Sequence, residues 1–438
     1  MRSAPTAEQV ADLLAEARVR TLLLLGPLSE EELRTQHDTL MSPLLWDLGH
    51  IAHFEELWLV QNLEGAVEFG EMPGMFNPFE NPRSVRGELQ LPSLQDTLGV
   101  LAQVRRRVLQ RLQSMEMNHE NPLVADGFVF RMVAQHEYQH NETMLQALQL
   151  KEDDPYAAPR AILPPEARPI PRAPGEEDAM VRFPGGGVPI GTDDRSAAYD
   201  NERSRHTLHI EPFWMDVTPV TSGAYLEFME AGGYREREYW SDAGWKWLRE
   251  AGVSAPQFWG EGGDGWHVRR MDRVVAVNPR TPVCHVCYHE AEAYARWAGK
   301  RLPTEFEWEA AAAFDPEAGE TRLYPWGDKP PSSLHANLDQ LAFEPAPVGA
   351  YPLNVSPIGC YGMIGDVWEW TSSDFLRYPG YETFPYKEYS ELFFGSDHKV
   401  LRGGSWATRP GAIRNTFRNW DYPIRRQIFS GFRCARDV

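Results

Sequence analysis

The chain has 438 residues, 42% hydrophobic and 12% aromatic, enough to bury two or three domain cores and too apolar to stay disordered. Its 63 acidic residues against 43 basic ones give a net charge of −20, which argues against a nucleic-acid partner because phosphate binding needs clustered Lys and Arg. No apolar run approaches the roughly 18 residues of a membrane span, the N-terminal stretch has no apolar signal-peptide core, and four cysteines do not make a disulfide scaffold. The expectation is a cytoplasmic chain with no membrane contact, and nothing in the sequence points to a protein partner.

Thr6 caps a helix expected over about 7–25, which Gly26-Pro27 ends. Ser29 with Glu32 forms a capping box. Ser42-Pro43 opens a second long helix, with Leu44, Leu45, Leu48, Ile51 and Leu59 near helical spacing. Residues 66–92, rich in Pro, Gly and Asn, read as a long crossover loop. Ser93 with Asp96 opens a third helix through Leu98, Leu101, Val104 and Leu109, and Asn121-Pro122 a fourth, ending at about Leu150. Four long helices joined by loops predict a four-helix bundle over residues 1–150.

Seven prolines fall within residues 151–174, so 151–178 reads as a stiff linker. Only Trp46 and Trp58 of the 15 tryptophans precede residue 200. Residues 179–438 are dense in Gly, Pro and Trp, with short apolar runs broken by turns, as in VRFPGG at 181–186. Short helices are expected over 222–232 and 289–298, in an irregular α+β domain with much loop.

Among 13 histidines, His136 and His140 are the informative pair. At i and i+4 on the fourth helix they project from one face, where two imidazoles can bind one metal ion. The string HEYQH also matches H-E-x-x-H, the zinc-protease pattern with Glu137 as base, but this half offers no strand to bind a peptide. A third ligand from a facing helix suits a bundle better. His50 and His53, at i and i+3 on the second helix, both qualify, and spacing does not choose between them. Three neutral imidazoles leave a divalent ion its full charge and open positions, which suits a substrate bringing its own negative sulfur. Non-haem iron oxygenases more often use two His and one carboxylate.

The second half carries RLPTEFEWE at 301–309, YPWGD at 324–328, GDVWEW at 365–370, LRGGSW at 401–406 and GFR at 431–433. In this order the five strings resemble the formylglycine-generating-enzyme fold, a C-type-lectin-like domain. The first half, with its H-x-x-x-H, resembles the DinB-like bundle. Together they resemble the sulfoxide synthases of ergothioneine biosynthesis, the hercynine oxygenases, over nearly the whole chain. The implied architecture is a DinB-like four-helix bundle followed by a C-type-lectin-like, formylglycine-generating-enzyme-like domain. Formylglycine chemistry itself is disfavoured: those enzymes use a cysteine pair after the LRGGSW-like string, and residues 407–420 contain none.

The resemblance implies an oxidoreductase using Fe(II) and O2 to join the sulfur of γ-glutamylcysteine to hercynine as a sulfoxide. It implies His50, His136 and His140 as iron ligands. Tyr386, in a loop with Tyr378, Tyr381 and Tyr389, is implied as the catalytic proton donor, and Tyr389 as a substrate contact. Asn419 and Trp420 would hold hercynine, and Gln139 its carboxylate. Asp421 and Arg425 would meet the glutamyl end of the thiol, and Arg83 and Arg86 its carboxylate, an arrangement that favours γ-glutamylcysteine over cysteine. The alternatives are a related synthase using cysteine with hercynine or histidine, a zinc hydrolase, and a binding module without turnover. Cys284 and Cys287 form a lone C-x-x-C and read as core residues.

Overall fold

The computed structural model describes residues 5–64, 74–115, 120–159 and 179–438. The described chain divides into two compact units, one of Met1–Tyr156 with Asp194–Ala197, the other of Ala157–Asp193 with Ala198–Val438. Most of the expected linker and the start of the expected crossover loop lie outside the described residues.

In the first unit, α1 (Ala7–Leu25) starts at a Thr6 capping box, and α2 (Glu30–Arg34) at the Ser29–Glu32 box. The second long helix, α3 (Leu44–Glu56), continues through one π-turn, Leu57–Gln61, into the short α4 (Asn62–Glu64). Pro43 sits at its cap rather than in its first turn. Helix α5 (Leu94–Leu112) begins at the Ser93 cap, whose hydroxyl accepts from the Asp96 amide.

The last bundle helix, α6 (Phe128–Leu150), starts later than the Asn-Pro signal suggested. Asn121 instead closes a local turn, its side-chain oxygen accepting from the Leu123 amide. Gly127, at φ +74°, then turns the chain into the helix. Leu14, Leu45, Leu48, Leu101, Val104 and Leu145 fill the space between the four long helices.

The second unit opens with β1 (Met180–Phe183), β2 (Gly186–Ile190), β3 (His206–Ile210) and β4 (Phe213–Asp216). Helices α7 (Ser222–Glu230) and α8 (Asp242–Ala251) follow, then a hairpin sheet of β5 (Trp259–Gly262), β6 (Gly265–Arg270) and β7 (Arg273–Ala276). Next come α9 (Tyr288–Trp297), α10 (Glu305–Ala313) and the two-residue strands β8 (Phe314–Asp315) and β9 (Glu320–Thr321). The chain finishes with β10 (Trp368–Phe375), α11 (Lys387–Ser390), β11 (Gly395–Arg402), β12 (Asn419–Asp421), β13 (Ser430–Gly431) and β14 (Ala435–Asp437). The sheet order β12-β11-β10-β13 and the three-stranded β1-β4-β14 confirm an α+β domain, to which the expected helices contribute alongside three that patterning did not single out, α8, α10 and the four-residue α11.

Four of the five strings of this unit supply its buried ion pairs. Arg433 of GFR pairs with Glu369 of GDVWEW at 2.7 Å, and Trp308 Nε1 donates to the same carboxylate at 2.7 Å. Arg402 of LRGGSW reaches Glu309 at 2.5 Å and Glu305 at 3.3 Å, and Arg418 grips Glu305 at 2.8 Å. Each charge here has an opposite partner, so removing one member would strand the other in a dry core. Gly403 sits at φ +95° with the Met363 carbonyl 2.6 Å from where a Cβ would stand, so only glycine fits this turn.

Candidate metal centre

Helices α3 and α6 bring His50, His136 and His140 together, with one ring nitrogen of each within 4.8 Å of the others. His50 and His136 are buried, and His140 is partly exposed. The Phe76 carbonyl lies 2.7 Å from His50 Nδ1. That bond places the proton of a neutral ring on Nδ1 and leaves the Nε2 lone pair facing inward. His136 Nε2 stands 3.1 Å from His50 Nε2. Two imidazoles bound at about 2.1 Å to one ion at nearly a right angle have their nitrogens about this far apart. With the ring nitrogens of all three histidines within 4.8 Å of one another, the donor set fits a single divalent metal.

The protein holds the rings from behind. Asp47 Oδ1 lies 3.2 Å from His140 Nδ1, so its carboxylate favours the tautomer with Nε2 free for the metal. Phe54 stacks on His136 at 3.6 Å, and Trp46 on His50 at 4.9 Å. Burial, with the other imidazoles adding to it, pushes His50 and His136 well below the ordinary histidine value, so both rings are neutral and ready to coordinate.

Gly49 makes room for this arrangement. A Cβ there would fall 2.2 Å from the Phe76 ring, whose residue supplies the carbonyl behind His50. Trp46 Nε1 donates to the Met75 carbonyl and so fixes the same segment against α3. His53 points elsewhere, into a cavity it lines with Glu56, Thr97 and Val100, outside the triad. Asp47, Gly49 and Phe76 were not singled out from the sequence. Asp47 could have been, because it precedes His50 by three residues and so shares its helix face.

Glu137 does not join the triad. Its carboxylate accepts from Arg18 Nε at 2.8 Å and from Thr21 Oγ1 at 2.7 Å. A carboxylate so bound is a structural anion, which removes the basis of the zinc-protease reading. Gln139, between the two histidines in sequence, is partly exposed, and its carbonyl accepts from Thr143.

Arg83 and Arg86 lie on one short helical turn, Arg83–Glu88. Arg83 is exposed. Arg86 is buried, donates to Ser42 Oγ at 2.7 Å, and lies 3.5 Å over the Trp46 ring that stacks on His50. Burial lowers its guanidinium to about 9, which still leaves it charged at neutral pH.

In the second unit the residues implied by resemblance form one cluster. Tyr386 meets Tyr389 edge to face at 6.3 Å, and Tyr389 meets Trp420 edge to face at 5.5 Å. Trp420 stacks on Phe375 at 4.1 Å, in strand β12 together with Asn419 and Asp421. Asp421 faces Arg425 at 3.6 Å. Burial holds the Tyr386 phenol well above its ordinary value, so it keeps its proton at neutral pH. Tyr378 and Tyr381 have structural roles: Tyr378 is buried against Glu305 and Arg418, and Tyr381 donates to Asp200 at 2.8 Å.

The comparisons with known proteins agree with this architecture. The DinB superfamily model matches residues 13–144, and the Sulfatase-modifying factor enzyme 1-like domain model matches residues 166–438. The chain is 46% identical to the Hercynine oxygenase of Mycolicibacterium thermoresistibile, covering 99% of this chain and 96% of that one. It is 45% identical to the Hercynine oxygenase of Mycobacterium tuberculosis, covering 98% and 99%. The Formylglycine-generating enzyme of Bos taurus is 32% identical over 60% of this chain and 76% of its own. A DinB-like bundle bearing a histidine centre, followed by a sulfatase-modifying-factor domain, defines a two-domain oxidoreductase-type enzyme. Within that class, the chain belongs to the hercynine oxygenase family.

Proposed function

We propose that this enzyme joins the sulfur of γ-glutamylcysteine to C2 of the hercynine imidazole and oxidises the new thioether to a sulfoxide, using Fe(II) and O2. The balance closes. One oxygen atom enters the sulfoxide. The other leaves as water with the hydrogens lost from C2 and from the thiol. The four electrons taken up by O2 come from forming the C–S bond and from oxidising sulfur.

The observation that carries this reading is the convergence of three imidazoles from α3 and α6 in a chain akin to named hercynine oxygenases. His50, His136 and His140 would hold the iron, and a bound ferrous ion would supply the electron transfer that dioxygen requires. A set of three neutral ligands leaves the ion positive enough to hold a thiolate.

The remaining roles belong to the protein's own groups. Tyr386 keeps its proton and donates it to reduced oxygen. Trp420 and Asn419 hold hercynine, with an aromatic face suited to its trimethylammonium group, and Tyr389 packs beside it. Gln139 takes the hercynine carboxylate. Asp421 and Arg425 offer opposite charges to the amino-acid end of the thiol, and Arg83 and Arg86 take its carboxylate. Among the described residues no helix is long and apolar enough to cross a membrane, and all four cysteines are buried. Four cysteines in 438 residues, used as core side chains, fit the reducing cytoplasm, where we place the enzyme.

The test is mass spectrometry of one aerobic reaction of Fe(II)-loaded enzyme with hercynine and γ-glutamylcysteine. A coupled product carrying one added oxygen supports the reading. Coupling with cysteine but not γ-glutamylcysteine would move the thiol assignment. Consumption of neither thiol would overturn the function.

A further inference from the structure

We propose that Asp200 is a positioning residue for Tyr386: its carboxylate ties together both sides of the loop that carries the phenol. This inference rests on the reading of Tyr386 as proton donor.

Asp200 begins a short helical turn, Asp200–Glu202, and is 1% exposed. Three donors reach it: Tyr381 Oη at 2.8 Å, the Phe384 amide at 3.1 Å, and the Ser390 hydroxyl. Two of these precede Tyr386 in the chain and one follows it. The neighbours of Asp200 grip the same loop. Asn201 Nδ2 donates to Ser390 Oγ at 3.0 Å, and Tyr199 stacks on Tyr389 at 4.1 Å.

The loop needs such an anchor. Between the end of β10 and the start of β11 its only helical pieces are the four-residue α11, with Tyr386 at its cap, and the three-residue turn Glu391–Phe393. No side chain caps α11. A buried carboxylate is costly unless its oxygens are satisfied. Here hydrogen bonds from this one loop do much of that, so the stability of the carboxylate and the path of the loop are linked. A phenol that must deliver a proton to one oxygen atom needs its position fixed to a fraction of an ångström.

The reaction has a built-in readout of that position. When the proton is delivered late or to the wrong atom, the thiol can react alone: R–SH plus O2 gives the sulfinic acid R–SO2H, with both oxygen atoms on sulfur and no C–S bond. The ratio of sulfinic acid to coupled sulfoxide thus reports where the phenol stands. A loss of folded enzyme lowers both products and leaves the ratio alone.

The experiment compares wild type, Tyr386→Phe, Asp200→Asn, Ser390→Ala and the Asp200→Asn/Tyr386→Phe double variant. Each full-length enzyme is loaded with Fe(II) and given hercynine, γ-glutamylcysteine and O2, and both products are quantified by mass spectrometry. Asp200→Asn turns an amide donor toward other donors. It should raise the sulfinic acid ratio by about fivefold or more, with iron content unchanged and the KM for the thiol within about twofold. Ser390→Ala removes one hydroxyl and should give a smaller rise in the same direction, which keeps the proposal testable if Asp200→Asn folds poorly. The double variant should partition like Tyr386→Phe alone.

A wild-type ratio in both Asp200→Asn and Ser390→Ala, while Tyr386→Phe shifts it, would overturn the role of Asp200 and leave the proposed function standing. A wild-type ratio in Tyr386→Phe would overturn the reading of Tyr386 and this inference with it.

Discussion

Residue by residue, the metal site depends on groups that touch the imidazoles from behind. Asp47 Oδ1 stands 3.2 Å from His140 Nδ1, and a carboxylate in that place favours the tautomer that leaves Nε2 for the metal. Asp47→Ala should therefore weaken iron binding by about 10- to 100-fold while leaving the fold intact, measured by competition with a chelator. Gly49→Ala should weaken it too, because the added methyl displaces Phe76 from the back of His50, and metal titration would show it. The His136/His140 pair was legible from spacing alone. The choice between His50 and His53 was not. Their directions differ by roughly 60° around one helix, and which ring faces α6 is set by how α3 packs in the bundle, where Phe76 lies against Gly49 and behind His50. The proton-holding role of Tyr386 came from resemblance, since four tyrosines in one loop look alike until their neighbours are known.

Helices α1, α3, α5 and α6 meet in one buried charge network. Arg18 of α1 bonds Glu55 of α3 at 2.7 Å and Glu137 of α6 at 2.8 Å, and Arg105 of α5 bonds Glu55 at 2.6 Å. The two helices that carry the imidazoles are thereby clamped through a third. Arg18→Met leaves Glu137 buried with Arg105 at 3.7 Å as its nearest cation, and should cost about 3–5 kcal/mol in chemical denaturation. Glu137→Gln separates structure from catalysis. It should lower stability but keep turnover per iron-loaded enzyme within about twofold, whereas a protease base would lose several orders of magnitude. Apolar periodicity and caps disclosed where the bundle helices run. They did not disclose this network, because a charged residue on a helix reads as solvent-facing until its partner on another helix is known. The late start of α6 has a similar cause: Asn121 used its side chain for a local turn instead of a cap.

Across the whole molecule, buried histidines link stability to pH. His285 lies between Phe258 and Phe429, and burial lowers it to about 3. Its folded value is depressed below the ordinary 6.5, so the unfolded chain takes the proton first. The stability tied to its neutral form is complete above about pH 6.5 and is lost as pH falls toward about 3. Asp366 is raised to about 6 and works in the opposite direction, so the total curve mixes signs. The comparison of wild type with His285→Gln isolates the histidine: the stability gap should narrow as pH falls through that window, measured by denaturation at fixed metal content. At this scale the five strings of the second domain were legible as a fold signature because they are its buried Arg–Glu pairs and tight glycine turns. Strand order was not, since β13 pairs in parallel with β10 across some 60 residues of sequence and no local pattern encodes that.

The most direct test of the central claim counts bound iron in wild type and in His50→Ala, His136→Ala, His140→Ala and His53→Ala, each also assayed for coupled sulfoxide. The account predicts one ferrous ion per chain in wild type and in His53→Ala. It predicts loss of both the ion and the product in each of the other three. Full iron occupancy in His50→Ala, or its loss in His53→Ala alone, would contradict it.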